Sequence, residues 1–235
     1  MTDLAARVLE CYVGAARWRA AERIEAVVST RGLLFRSKLQ RSFDRMRVDV
    51  EVHRPRARFT PGEWRGETGV FDGPDVWLET ASGEVVAGRR DARRSFRGLR
   101  RALWWDRLDL TYFGGYALWN YLAFPALLLR EDVSWREVGP DLLEATFAPS
   151  LPTHCEVQRF HISPTDGLLV QHDYTADVIG RWARAAHQIL AHDRWQGLPF
   201  ASHRRVTPRG RGGRPLRGPT LVEIVVHQWR LLGGA

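Results

Sequence analysis

The second half of the chain is divided into short apolar segments by closely spaced turn sequences, and this pattern constrains the fold more than any other feature. The turns are Pro149–Pro152, Ser163–Gly167, Ile179–Gly180 and Gln196–Gly197. A spacing of about ten residues is typical of antiparallel strands that follow one another in a meander. The predicted strands are Leu143–Phe147, His154–Ile162, Leu168–Tyr174, Ala183–Leu190, Phe200–Val206 and Leu221–His227. The sequence therefore predicts a mainly β (α+β) fold with a curved antiparallel sheet.

The first half of the chain predicts one helix followed by further strands. Apolar residues within Leu4–Trp18 recur every three or four positions, which favours an amphipathic helix that extends to about Val28. In Met46–His53, the valines at 48, 50 and 52 alternate with arginine, acidic residues and histidine, which indicates a strand with one buried face. Asp75–Glu79 and Glu84–Ala87 flank a Ser-Gly turn, so they are predicted to form a hairpin.

We expect one domain over residues 1–235, because a β fold of this length can bury a continuous core. Its predicted parts are an N-terminal helix over 1–30, a first strand block over 31–110, an apolar lid segment over 111–130 and the strand meander over 131–230.

The segment Leu110–Leu129 carries no charge and is about as long as a membrane span. Gly114, Gly115, Asn120 and Pro125 interrupt it, and its aromatic rings lie through its middle, whereas spanning helices place such rings at the two interfaces. We therefore predict a buried or lid-forming helix over an apolar pocket rather than stable membrane insertion.

Arginine provides almost all of the positive charge. The net charge is +8, and Lys38 is the one lysine. This bias is also what a GC-rich genome produces, and net charge by itself constrains non-specific association rather than function. The most basic segment, Arg204–Arg217, is internal and lacks the aromatic residues on which bases stack. It is predicted to be a loop between strands, so nucleic acid is disfavoured as a partner and is kept as a third alternative.

The N-terminus and the cysteines point to a cytoplasmic location. Met1–Glu10 carries charges throughout and lacks the basic-then-apolar order of a secretory signal. Cys11 and Cys155 are the two cysteines, which is too few for a disulfide framework. The sequence leaves the oligomeric state open.

The order of the predicted elements resembles that of the lipoprotein-localisation-factor (LolA/LolB-like) half-barrels. A helix, a strand block and an apolar lid are followed by a meander with an Asp-Gly-Leu-Leu turn at Asp166–Leu169 and a wide final hairpin. Trp119–Leu122 and Asp166–Leu169 also resemble segments of uncharacterised actinobacterial proteins. The half-barrel resemblance implies an unclosed sheet whose concave face, capped by helices, holds acyl chains or another hydrophobic ligand.

Polar residues cluster on two of the predicted strands and suggest proton transfer. On the first strand one face is expected to carry His154, Glu156, Gln158 and Phe160. On the second strand one face is expected to carry Leu168, Val170, His172 and Tyr174. If both faces are concave, the imidazoles meet a carboxylate beside Tyr174 in an apolar pocket. A histidine beside a carboxylate can move a proton at neutral pH without a cofactor. Residues predicted to contact the ligand are Tyr116, Trp119, Phe124, Gln158, His187, His203 and Arg204.

Other chemistries have weaker sequence support. The same residues could ligate a metal, with His187 or His203 completing the sphere, but no diagnostic metal motif is present. We therefore assign neither a metal nor a cofactor. The sequence also has no nucleophile elbow and no glycine-rich phosphate loop.

Two functions fit these residues best. The first is a cofactor-free cyclase, isomerase or lyase of secondary metabolism that acts on a hydrophobic small molecule, with His154, Glu156 and His172 exchanging protons and with Tyr174 and Arg204 orienting an oxygen function. The second is a non-catalytic carrier or sensor of lipids.

Overall fold

The computed structural model describes residues 1–61, 66–98 and 102–233. The helices are α1 (Asp3–Cys11), α2 (Ala15–Ala20), α3 (Leu33–Ser37), α4 (Arg107–Leu122) and α5 (Phe124–Leu127), and short 3-10 turns cover Ala92–Phe96 and Arg211–Gly213. The strands are β1 (Arg23–Arg31), β2 (Phe43–Glu51), β3 (Arg56–Thr60), β4 (Thr68–Asp72), β5 (Asp75–Glu79), β6 (Val85–Arg89), β7 (Val133–Gly139), β8 (Leu142–Phe147), β9 (Val157–Ile162), β10 (Leu169–Thr175), β11 (Arg184–Trp195), β12 (Leu198–Pro208) and β13 (Val222–Leu232).

All of these strands form one antiparallel sheet. Its order is β6-β5-β4-β3-β2-β1-β13-β12-β11-β10-β9-β8-β7. The chain therefore builds outward from β1 to the edge strand β6, crosses to the opposite edge at β7, and returns strand by strand until β13 pairs with β1. In the part of the chain that the structure describes, the two edges do not pair, so the sheet stays open. This confirms the predicted curved half-barrel with an N-terminal helix and a helical segment between two strand blocks.

The N-terminal helix is shorter than predicted. The two short helices α1 and α2 end at Ala20, and the following residues form β1. In β1 the side chains of Ile24, Ala26 and Val28 are buried, while those between them are partly exposed. This alternation and the β-branched residues favour a strand. The prediction of a helix to Val28 is therefore wrong beyond Ala20.

Helix α4 connects the two sheet edges and is tied to one of them. Asp106 and Asp109 form a capping box, in which each side chain accepts a hydrogen bond from the backbone N–H of the other, at 2.8 and 2.9 Å. Arg89 at the end of β6 donates to both carboxylates, at 2.6 Å to Asp109 and 2.7 Å to Asp106. From this anchor the helix packs against β2, β3, β4 and β5.

The apolar segment is thus a helix buried against the sheet, as predicted. Within the described ranges, no helix is both long and apolar enough to cross a membrane.

Replacing Arg89 with leucine is expected to lower the free energy of unfolding by about 3 kcal/mol. The substitution removes the guanidinium that contacts the Asp109 carboxylate, which is 0% exposed, and breaking a buried pair costs far more than breaking an exposed one. Arg94→Leu is the matched control, since it removes an exposed ion pair with Asp91 and should cost less than about 1 kcal/mol. Equal losses in urea unfolding would contradict the role of Arg89 as an anchor.

Candidate functional site

An apolar cleft lies between α4 and the sheet. It has a volume of ≈ 70 Å³, which is room for a few water-sized groups. The residues from α3 and the sheet are Thr30, Phe35, Phe43, Met46, Phe59, Tyr174, Val222 and Ile224, and those from α4 are Leu110, Thr111, Phe113, Gly114, Ala117, Leu118 and Tyr121. We call this space the apolar cleft.

One face of α4 builds the helical wall of the cleft. Leu110, Gly114, Ala117, Leu118 and Tyr121 are three or four positions apart, so they lie above one another on a helix. At Gly114 a Cβ atom would meet no heavy atom within 4 Å, because this position faces open space. The absence of a side chain at Gly114 therefore contributes directly to the width of the cleft.

Tyr121 connects the cleft to a buried histidine. Its hydroxyl lies 2.7 Å from Nε2 of His154 and 2.7 Å from the hydroxyl of Tyr174. The ring of His154 stacks on that of Tyr174, with 3.7 Å between the ring centroids. The two tyrosines line the cleft, whereas His154 lies outside its lining and is fully buried.

Two further histidines extend this buried polar cluster. His172 stacks on Phe160, with 4.2 Å between the ring centroids, and its Nε2 lies 2.7 Å from Oε1 of Gln158. The ring centroid of His187 lies 4.2 Å from that of Tyr121, and among the described residues neither of its ring nitrogens has a hydrogen-bond partner. We define the buried polar cluster as His154, His172, His187, Tyr121, Tyr174 and Gln158.

Burial keeps the cluster neutral. Desolvation lowers the pKa of His154, His172 and His187 well below the usual value of a histidine. The positive charge of Arg93 lowers the pKa of His154 further, and that of Arg204 lowers the pKa of the other two. Desolvation also raises the pKa of both tyrosines of the cluster. The cluster can therefore exchange hydrogen bonds at neutral pH without carrying a charge.

A second, smaller cavity shares Tyr121 with the apolar cleft. It has a volume of ≈ 20 Å³ and we call it the aromatic cavity. Its lining includes Tyr12, Trp18, Phe124, Phe200, Trp229 and Arg204. The guanidinium of Arg204 lies over the ring of Tyr121, 5.5 Å from its centroid, and Nη2 donates to the Tyr121 carbonyl at 2.9 Å. A buried cation thus lines the aromatic cavity and contacts Tyr121, which borders both spaces.

Comparison with solved structures identifies the architecture around these cavities. The chain aligns with a LolA superfamily protein from Nitrosomonas europaea at a TM-score of 0.50 and 12% sequence identity, over 98% of this chain and 94% of that one. It aligns with a domain described as that of an outer-membrane lipoprotein-sorting protein from Vibrio parahaemolyticus at a TM-score of 0.52 and 12% identity, over 99% of this chain and 92% of that one. The chain has the LolA-type half-barrel fold. No protein-family model and no curated protein sequence matches it.

In this LolA-type half-barrel the predicted proton-transfer group does not assemble. His154, His172 and Tyr174 are buried and come together, but Glu156 is exposed. The predicted strand from His154 begins only at Val157, so the expected alternation does not extend back to Glu156. In addition, the pairing of β9 with β10 shifts between Leu169 and Gln171, which leaves Val170 exposed rather than on the face of His172. The expected convergence of two histidines with a carboxylate is therefore wrong.

The metal alternative loses the same carboxylate. His203 lies on β12 with a partly exposed side chain, and its Nε2 lies 2.7 Å from Oε1 of Glu223, so it does not approach His154. Over the described ranges, no group of three or more His, Cys, Asp and Glu residues is arranged to hold a metal ion.

The predicted ligand-contacting residues are distributed unevenly. Phe124 and Arg204 line the aromatic cavity, while Gln158 and His187 belong to the buried polar cluster. Three predicted residues lie outside the lining of both cavities: Tyr116, Trp119 and the partly exposed His203. The ring centroid of Tyr116 is 5.0 Å from that of His154. The Nε1 of Trp119 donates to the Glu51 carbonyl at 3.1 Å. Binding roles for all of these residues stay predictions.

Proposed function

We propose that this protein binds a hydrophobic small molecule or lipid in the apolar cleft and acts as a carrier or sensor. The observation that carries the proposal is the cleft itself, whose walls are apolar and aromatic except for a few hydroxyl groups. Ligand pockets in proteins are typically apolar with a small number of placed polar groups. The hydroxyls of Tyr121 and Tyr174 supply such groups. The ligand class that the LolA-like resemblance implies agrees with this lining.

Binding of a long chain requires the cleft to widen. Sites for drug-sized ligands usually have volumes of about 300–1,000 Å³, which is several times the ≈ 70 Å³ of this cleft. Helix α4 supplies one wall, and its N-terminus is anchored to Arg89. An outward shift of α4, pivoting on that anchor, would enlarge the cleft without breaking the sheet.

A proton-transfer enzyme is the second candidate, and it has less support. Glu156 lies outside the cluster, and His154 and His172 do not line the cleft. A carrier predicts that replacing these histidines leaves ligand affinity almost intact, whereas an enzyme predicts loss of turnover. Cyclase, isomerase and lyase activity therefore remain a prediction from the sequence.

Nucleic-acid binding finds little support in the basic loop. Arg209 pairs with Asp173 at 3.2 Å, and the Gly213 carbonyl accepts a hydrogen bond from Gln171. The loop therefore packs on β10 as a connection between strands. A nucleic-acid partner would show itself as affinity that falls steeply with salt.

Filling the cleft is expected to abolish ligand binding. Gly114→Leu places a side chain in the open space at that position, so affinity for the neutral fluorescent probe Nile red should fall about tenfold or more. The measurement is a fluorescence titration of the wild-type protein and the variant. Gly88→Leu is the control, because it adds the same side chain on the exposed surface of β6 and should leave affinity unchanged. Equal affinity in all three proteins would refute binding in the cleft.

A further inference from the structure

Among the described residues, the buried charge of Arg204 has no counter-ion. Arg204 is 4% exposed, and no carboxylate in the described part of the chain forms an ion pair with its guanidinium. Nη2 uses one hydrogen in a bond to the Tyr121 carbonyl, whereas Nε and Nη1 have no acceptor among the described residues. Guanidinium N–H groups that are buried and unpaired cost free energy.

Two buried carboxylates among the described residues are matched by opposite charges. Asp173 contacts His161 and Arg209, and Glu144 contacts Arg136 and Arg159. Arg204 departs from this pattern. The Arg204 guanidinium is thus buried with donor hydrogens that no described residue accepts.

The groups around Arg204 cannot neutralise it. Those that act on its charge are phenols, and burial raises the pKa of Tyr12 to about 12 and that of Tyr121 well above its usual value. The nearby imidazoles of His172 and His187 are neutral or, if protonated, would repel it. Burial lowers the pKa of Arg204 to about 10, so the guanidinium stays charged at neutral pH. Among the described residues, therefore, no group supplies a negative charge to Arg204.

The position of Arg204 suggests what carries that charge. It lines the aromatic cavity, whose walls include Trp18, Phe200 and Trp229. Its β13 pairing partner, Ile224, lines the apolar cleft, and Tyr121 lines both spaces. An anion at Arg204 would therefore lie at the aromatic cavity, with Tyr121 between it and the apolar cleft.

We propose that the ligand is an amphiphile with one anionic head group, a carboxylate or a phosphate, that binds Arg204, while its alkyl chain passes Tyr121 into the apolar cleft. This inference rests on the proposed function and names the ligand class for it. The planar guanidinium suits both oxyanions, and charge-assisted hydrogen bonds are about twice as strong as neutral ones. The unpaired ring nitrogens of His187 and the Tyr12 hydroxyl belong to neutral groups that interact with Arg204 and could add hydrogen bonds to the head group.

The test is titration calorimetry of the full chain at neutral pH with three ligands that share one alkyl chain: palmitate, hexadecyl phosphate and hexadecanol. We expect at least one of the two anions to bind about tenfold or more tightly than hexadecanol. The anion that binds more tightly identifies the head group as carboxylate or phosphate. Equal affinities for all three ligands would overturn the anionic head group and leave the proposed function standing. Failure of all three to bind would overturn both.

Variants at Arg204 assign the preference to that residue. Arg204→Met keeps an apolar stem of similar length, so it should abolish the preference for the anion and change the affinity for hexadecanol by less than about threefold. Arg205→Met is the matched control, because the neighbouring side chain contacts Gln188 instead of the cavity and its loss should change neither affinity. A preference that survives in Arg204→Met would overturn the proposal.

If Arg204→Met does not fold, Arg204→Lys replaces it. Lysine keeps the charge but lacks the planar fork that holds two oxygens of a carboxylate or phosphate. This variant should bind the preferred anion more weakly than the wild type does, with the affinity for hexadecanol unchanged. An anion affinity equal to that of the wild type would then overturn the assignment to Arg204.

Discussion

Acidification from about pH 7 to about pH 5 is expected to cost this protein most of its stability. His154, His172 and His187 are buried and neutral, and desolvation holds their pKa well below the value near 6.5 that they have in an unfolded chain. Below that value the unfolded state binds more protons than the folded state. The stabilisation is therefore complete above about pH 6.5 and is lost as the pH falls. Burial also lowers the pKa of His192, to about 4. Each of these four histidines contributes a slope of up to about 1.4 kcal/mol per pH unit below about pH 6.5, so together they contribute about 5 kcal/mol per unit.

The measurement is the free energy of unfolding in urea at a series of pH values. Glu223, an ion-paired carboxylate, loses its contribution to stability at a lower pH than the histidines do. Hydrogen bonds and charge from Arg31 and His203 hold the pKa of Glu223 at about 2. His187→Leu removes one of the four histidines with a lowered pKa, so it should reduce the slope by about one quarter. This imidazole has no hydrogen-bond partner among the described residues, so the substitution breaks no hydrogen bond. His227→Leu changes an exposed histidine and should leave the slope unchanged. A stability that does not vary between about pH 7 and pH 5 would rule out neutral, buried imidazoles.

The two adjacent glycines of α4 are expected to respond to the same substitution in opposite directions. Gly114→Ala should raise the free energy of unfolding by about 0.5–1 kcal/mol, because alanine favours a helix and its Cβ meets open space. Gly115→Ala should lower it by about 3 kcal/mol, since the new Cβ overlaps the fully buried side chain of Phe71.

Urea unfolding of the two alanine variants provides the check, and each serves as the control for the other. They share composition, helix and chemistry and differ in the face of α4 that they occupy. Similar changes in the free energy of unfolding of both variants would contradict this packing, in which Gly115 contacts Phe71 of β4 and Gly114 faces the cleft.

Much of the fold can be predicted because turns and alternation are local signals. The Ser-Gly turn marks the hairpin of β5 and β6, and Gly83 there adopts a φ of +86° that glycine tolerates. By contrast, extending the helical period of Leu4–Trp18 past Ala20 predicts helix where β1 lies, although Ile24, Ala26 and Val28 alternate. The strands β3, β4 and β7 are absent from the prediction.

The site is harder to predict because its geometry depends on packing. Leu110–Leu129 is apolar on every side, so its sequence does not show which face meets the cleft. The sequence predicts that Tyr116 and Trp119 contact the ligand, whereas Tyr121 lines the cleft in the structure. Alternation also fails where β9 begins late and where β10 shifts register at Val170. The sequence marks Arg204 as polar, but its burial follows from the position of β12 near the middle of the sheet. Cytoplasmic location and a single domain remain predictions.

The central claim is that the space between α4 and the sheet receives a hydrophobic ligand. The most direct measurement is a crystal structure of the protein soaked with a bromine-tagged long-chain alcohol, with the bromine located by its anomalous scattering. We predict a bromine peak between Gly114, Phe59 and Ile224, with α4 displaced outward. Bromine found only on the convex surface, or no bound alcohol at all, would contradict that claim.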